Sequence, residues 1–191
     1  MSELRFGKEK RHIDWELLRK IGVWLLQITL VCGIAFICVW YFGQRASTIG
    51  ESMEPILKNG DVVLVNTIIY DASSPKRGDI IAFKPNGNEN THYYIKRIIG
   101  LPGEKLEIKQ GKIYINGKKL KETYKTTKIK DVGIAEGEVV LKGDEYFVLG
   151  DNRLSSEDSR MADVGNVKKS EIKGKAWFVA APRKSFGFIR K

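Results

Sequence analysis

Two short runs decide the fold: Asp79-Ile-Ile-Ala-Phe83 and Tyr93-Tyr-Ile-Lys-Arg-Ile-Ile99, separated by Lys84-Pro-Asn-Gly-Asn-Glu-Asn-Thr-His92. Branched and aromatic residues fill both runs, each is bounded by turn-formers, and neither is long enough for an independent helix. The same signature recurs outward along the chain. Asp61–Asn66, Glu145–Leu149 and Ala176–Val179 are further short apolar runs. Leu106–Ile108, Ile113–Ile115 and Lys118–Leu120 are joined by Gln110-Gly111 and Asn116-Gly117, the turn chemistry of a meander of hairpins. Beyond residue 42 no helical period persists for more than a turn or two, so the expected fold is mainly β. The lysine-rich stretch Lys118–Lys130 reads as a solvated face or an excursion from that fold. There is no internal repeat.

One stretch is different. Ile21–Phe42 holds 22 residues without Asp, Glu, Lys or Arg. As a helix it spans about 33 Å, enough for a hydrocarbon layer of about 30 Å. Trp24 lies at one end and Trp40, Tyr41 and Phe42 at the other, where an aromatic belt belongs. Residues 1–20 carry six basic groups (Arg5, Lys8, Lys10, Arg11, Arg19, Lys20) and four acids. Arg19 and Lys20 abut the span and only Arg45 follows it closely, which predicts a cytoplasmic N-terminus. A cleaved secretory signal has a shorter apolar region, and Gln44-Arg45-Ala46 is a poor cleavage site. The expected organisation is a cytoplasmic tail over 1–20, an anchor over 21–42 and an extracytoplasmic domain over 43–191.

Composition narrows the chemistry. The chain has 191 residues, 29% of them charged and 42% hydrophobic, in the range of a folded domain. The formal charge of +10 suits an anionic surface or a polyanion. Cys32, Cys38, His12 and His92 are too small a ligand supply for an ordinary zinc site, and no metal or other cofactor is expected. Both cysteines fall inside the apolar span, so the domain beyond it has neither a disulfide nor a thiol nucleophile.

The most suggestive turn beyond the span is Gly50-Glu51-Ser52-Met53-Glu54-Pro55. It begins like a nucleophile elbow, but Glu54 replaces the second glycine and no strand–helix pair surrounds it, which argues against an α/β-hydrolase. By itself a serine between Gly and Pro is usually a turn residue. A serine nucleophile needs a neighbour to take its proton. His92 is one candidate and Lys96 the other; Arg97 stays protonated. Lysine qualifies if burial lowers its pKa from about 10.4 towards 7–8.

Four boxes resemble those of type I signal peptidases, membrane serine proteases that remove signal peptides. Gly50–Pro55 is similar to G-x-S-M-x-P, and Arg77-Gly-Asp-Ile-Ile-Ala-Phe83 to R-G-D-[IV]-[IV]-x-F. Lys96-Arg-Ile-Ile-Gly-Leu-Pro-Gly-Glu104 is similar to K-R-[IV]-x-[GA]-x-P-G-[DE]; Gly150–Arg160 matches G-D-N-R-x-x-S-x-D-S-R. The resemblance implies an all-β catalytic domain, Ser52 as nucleophile, Lys96 as general base, and Ser156 as the hydroxyl that orients the amine. It implies that Met53 packs beneath the nucleophile, and that Arg97, Asp151, Asp158 and Arg160 are ion pairs holding the loop after Leu149. It further implies a single-pass enzyme of the bacterial cell membrane, Gram-positive in size, acting on secreted preproteins with small residues at −1 and −3. Within this box Arg77-Gly78-Asp79 is discounted as an adhesion signal.

Two other classes resemble parts of this pattern. A self-cleaving repressor would carry a DNA-binding domain, and none is legible, so no nucleic-acid partner is expected. A tethered module for anionic wall polymer would explain the charge but not the matching boxes. Three finer expectations follow. Gly50 stands where some relatives carry a hydroxyl donor, so the oxyanion is expected to rest on backbone N–H groups, chiefly that of Ser52, and Gly50→Ser is expected to be tolerated if Gly50 has an ordinary φ. Glu51 is expected to face solvent. Trp177, Phe178, Phe186 and Phe188, among Lys175, Arg183, Lys184, Arg190 and Lys191, are either core or a surface that meets the lipid bilayer.

Overall fold

A computed structural model describes residues 14–88 and 90–189. The tail residues Arg5, Lys8, Lys10 and Arg11, on which the expected orientation partly rests, lie outside the described residues, as do Arg190 and Lys191. Helix α1 (Trp15–Phe42) begins six residues before the apolar run. Asp14 sets that start: its Oδ1 accepts the N–H groups of Glu16 and Leu17 at 3.1 and 3.3 Å. Arg19 and Lys20 therefore belong to the helix, as straight-chain residues readily do. None of its side chains is buried, its mean hydropathy reaches 2.3 over its most apolar window, and Thr29 satisfies its hydroxyl on Leu25 O at 2.9 Å. By length and composition it is long enough to cross a membrane.

The regular structure beyond it is mostly β: β1 (Gln44–Ser47), β2 (Val62–Asn66), β3 (Ile80–Phe83), β4 (Tyr94–Gly100), β5 (Lys105–Lys109), β6 (Lys112–Ile115), β7 (Lys118–Lys119), β8 (Val139–Val140), β9 (Glu145–Leu149), β10 (Val167–Lys168), β11 (Ile172–Ala181) and β12 (Gly187–Phe188), with one short α-helical turn, α2 (Ile69–Ala72), and four 3-10 turns among the described residues. The larger sheet runs β1-β2-β11-β3-β4-β9-β10, with β12 also on β11; the smaller runs β7-β6-β5-β8. All described pairings are antiparallel, and the two runs that open the sequence argument pair as β3 and β4, Ile81 opposite Lys96. Gln110-Gly111 and Asn116-Gly117 all have positive φ, as two-residue hairpin turns require.

Burial explains the pattern of the runs. In β3, Ile80 and Ala82 enter one cluster with Met53, Leu57, Val63 and Ile95. Ile81 and Phe83 enter another, on the opposite face, with Ile98, Tyr146 and Val148. A strand buried on both faces has no polar alternation to show. The small sheet keeps one wet face: Leu106, Ile108, Ile113 and Ile115 point into a third cluster with Ile99, Phe147 and Leu149, while alternate lysines stay outside.

One expectation needs correction, and four strands went unread. Strands β1, β8, β10 and β12 were not legible, because each has only two to four residues, too few to show a period. The lysine-rich stretch is no excursion. Leu120, Tyr124, Ile129 and Val132 pack on the third cluster, while Lys121, Lys125, Lys128 and Lys130 are exposed. Its lysines, taken alone, hide the inward-facing half.

Asp79 is only 3% exposed, so the Arg-Gly-Asp triplet cannot present its carboxylate to a receptor. Its oxygens accept Lys175 Nζ at 2.7 Å, Tyr70 Oη at 3.1 Å and Lys76 N at 3.1 Å, joining β3, α2 and β11. Asp79→Ala orphans three donors, so the free energy of unfolding in denaturant is expected to drop by roughly 2–3 kcal/mol.

Candidate active site

Lys96 and Arg97 are neighbours on β4, and the two-residue period of a strand sends them to opposite faces. Arg97 turns inward. Its Nε and Nη2 donate to Asp151 Oδ1 and Oδ2 at 2.8 and 2.7 Å, its Nη1 to Gly78 O at 2.8 Å. The two side chains are 1% and 0% exposed. The guanidinium also stacks on Tyr124, 4.0 Å from the ring centroid. This bidentate pair pins the start of the loop after β9 to the strand that carries Lys96.

The loop is held along its length. Asp158 accepts Gly150 N at 3.1 Å and both forks of Arg160 at 2.8 and 2.9 Å. Arg160 reaches Asp131 O and Arg153 O as well. Arg153 donates to Gly150 O at 2.9 Å and forms a close pair with Glu122. Thr127 N donates to Asp151 O at 3.1 Å. Glu122, Tyr124 and Thr127 were missed by sequence reasoning, their only signal being an alternation of exposed lysines with half-buried residues; Arg153 stood in the quoted Gly150–Arg160 box but was given no role.

This loop meets the turn carrying Ser52. Asn152 N donates to Ser52 O at 3.0 Å. A Cβ on Gly150 would lie 2.2 Å from Ser156 Oγ and 2.3 Å from Ser52 O, so only glycine lets the two segments pass this closely. Met53, 2% exposed, fills the core below the turn. Gly50 N donates to Asn59 Oδ1 at 3.1 Å, and Gly50 has φ +78°. The condition for tolerating Gly50→Ser is therefore not met: there is room for a side chain, but the backbone is strained for one. Glu51 is exposed.

The two candidates for the proton acceptor separate cleanly. His92 is exposed and stacks on Tyr94, with centroids 5.6 Å apart. Lys96 is 5% exposed, and its Nζ lies 2.7 Å from Ser52 Oγ. Burial lowers its pKa to about 8, against the opposing pull of Asp158 and Glu157 and with a smaller push from Arg160. Ser156 Oγ is buried in the same cleft and has no hydrogen-bond partner among the described residues; no bond joins it to Lys96. The cleft encloses about 460 Å³ between the Thr48–Met53 turn, Tyr93–Lys96 and Arg153–Glu157. A neutral amine against a hydroxyl in an open cleft can accept the proton as that hydroxyl attacks.

Holding an ammonium in this place costs stability. With a native pKa near 8 against an ordinary 10.5, the folded state binds fewer protons than the unfolded state between those values, and stability rises with pH there. Below pH 8 the full penalty, about 3 kcal/mol, is present; the Ser52 hydrogen bond returns about 1. Lys96→Met is expected to unfold about 2 kcal/mol less readily than the parent chain at pH 7, with the gap closing towards pH 10.5 in denaturant titrations.

Residues 21–181 match the family described as "Signal peptidase, peptidase S26". The chain is 35% identical over 184 residues to Signal peptidase IB of Staphylococcus aureus (strain COL), covering 88% of this chain and 93% of that protein. It is 37% identical over 180 residues to Signal peptidase I P of Bacillus subtilis subsp. natto, covering 88% and 91%. A crystal structure of a signal peptidase I from Enterococcus faecalis V583 is 35% identical, with 54% of this chain and 97% of that chain covered and a TM-score of 0.42. The chain belongs to the signal peptidase family S26 and is a serine endopeptidase of the type I signal peptidase class, which cleaves signal peptides.

Proposed function

We propose that this chain cleaves preproteins with Ser52 as nucleophile and Lys96 as general base. The 2.7 Å contact between Lys96 Nζ and Ser52 Oγ, made by an amine that burial holds near pKa 8, carries the reading. Lys96 takes the proton as Ser52 attacks the scissile carbonyl, then gives it to the leaving amine. Water, deprotonated by the same lysine, releases the acyl-enzyme. Ser52 N has no acceptor among the described residues, whereas Gly50 N is bound to Asn59, so the Ser52 amide is the natural donor to the oxyanion. Ser156 supplies a further hydroxyl to the amine once substrate excludes water.

Free enzyme requires Lys96 neutral, so kcat/KM is expected to rise with pH along a single limb with its midpoint near 8. Ser52→Ala and Lys96→Arg abolish cleavage of a model preprotein, the latter despite its retained charge. An active Lys96→Arg enzyme returns His92 to candidacy.

In the same reading α1 is an uncleaved anchor. Arg19 and Lys20 on one side of the span, against Arg45 alone on the other, favour a cytoplasmic N-terminus and an outside catalytic domain in a bacterial cell membrane. Secreted preproteins are the substrates, and the bilayer is a second partner. Trp177 and Phe178 are half-buried, but Phe186 and Phe188 are 63% and 72% exposed and pack edge-on against Phe178. Rings in this arrangement beside Arg183 and Lys184 suit a lipid interface. A fragment of residues 43–191 is expected to bind liposomes in a sedimentation assay, and to lose most of that binding with Phe186→Ser and Phe188→Ser together. Equal sedimentation of both fragments refutes the lipid contact.

A further inference from the structure

Glu157 stands at an unspecified place in the loop pattern, between Ser156 and Asp158, yet it closes a contact across the cleft. Tyr94 Oη donates to Glu157 Oε2 at 3.0 Å, joining β4 to the loop after β9 at the cleft that Ser52 and Lys96 also line. Two residues along the same face of β4, Lys96 Nζ lies 5.5 Å from the centroid of the Tyr94 ring. The ring and the carboxylate thus form a negative wall beside the amine, and the hydrogen bond fixes where that wall stands.

We propose that the Tyr94–Glu157 bridge is a positioning element of this site, holding a carboxylate over the cleft so that it sets the charge state of Lys96. The proposal rests on Lys96 being the base, and names what tunes it. Other groups around Lys96 have separate tasks. From the nucleophile turn, Ser52 accepts its hydrogen bond and Glu51 faces solvent. From the loop after β9, Asp158 is bound to Arg160 and to Gly150 N, and Arg153 to Glu122 and Gly150 O. Asp131 lies on the cleft rim, and His92 stacks on Tyr94. Glu157 is the exposed carboxylate tied to a side chain in contact with the amine, and its charge pulls Lys96 upward against burial. Burial and the same carboxylate hold the Tyr94 phenol above its usual range, so it stays a donor where Lys96 titrates.

The sign follows. Glu157→Gln removes a charge that favours the ammonium, so Lys96 deprotonates more easily and the enzyme is active at lower pH. Because Glu157 is exposed, the shift is about half a pH unit. Tyr94→Phe frees the carboxylate to move into solvent and shifts the limb in the same direction. If the tyrosine acts through Glu157, its effect vanishes in a Glu157→Gln background.

The test uses the full chain in detergent micelles with a signal-peptide substrate. The pH dependence of kcat/KM is recorded for the parent, both single variants and the double variant. The midpoint of the limb is the readout, not the plateau, because both side chains line the cleft. In parallel the Lys96 side chain is titrated by carbon-13 NMR, its resonance assigned by its loss in Lys96→Met. Expected are downward shifts of about half a unit in both singles, no larger in the double, and matching NMR midpoints. An unmoved or upward Lys96 NMR midpoint in Glu157→Gln overturns the bridge, as does a Tyr94→Phe shift that persists in the double variant. A kinetic limb that departs from the Lys96 titration overturns the lysine base instead, and the NMR shifts still judge the bridge.

Discussion

The site depends on one buried ion pair. Arg97 and Asp151 are almost wholly removed from water, and their two parallel hydrogen bonds leave neither oxygen nor the facing nitrogens unsatisfied. Each ion alone would be costly in that place, so the loop after β9 can hardly leave β4 without exposing the fold to the full desolvation penalty. One wall of the cleft hangs on that loop: Gly150 passing against Ser52, Asn152 holding the Ser52 carbonyl, and Ser156 and Glu157 lining the cleft. The pair is therefore better understood as fixing position than as adding net stability.

The adjacent cation has the opposite fate. Lys96 is also buried, but its acceptor is a hydroxyl rather than a carboxylate, so desolvation is only partly compensated and its pKa falls. Arginine in that position would stay charged, and a lysine in the position of Arg97 would lack the fork that grips both oxygens. One strand uses the period of two to give one cation a partner and deny it to the next.

Much of this was legible in the sequence. The eight apolar runs all became strand, and Ser52, Met53, Lys96 and Ser156 converge on one cleft. What stayed hidden shares a physical cause. Strand β1, Gln44–Ser47, is made by backbone pairing with β2 and buries only Ala46, so composition carries no trace of it. Tyr124 and Glu122 sit among lysines whose outward half dominates the reading, although their inward contacts grip Arg97 and Arg153. The early start of α1 is set by a single capping carboxylate, Asp14, rather than by hydrophobicity. The left-handed φ of Gly50 depends on the path of the turn in space, which no local pattern announced.

The segment 120–132 shows why an apparently variable surface stretch can matter to chemistry. Its inward residues hold the arginine of β4 and those of the loop: Tyr124 against Arg97, Glu122 against Arg153, and the Asp131 carbonyl on Arg160. A guanidinium offers five donors, and Asp151, Asp158 and the loop carbonyls use only some of them. Partners from this segment add to these: Glu122 accepts from Arg153 and the Asp131 carbonyl from Arg160, while Tyr124 covers the face of Arg97. The lysines on its outer half keep the strap soluble while its inner half is spent on the loop. Exposure and alternation, rather than net charge, are what identify its role.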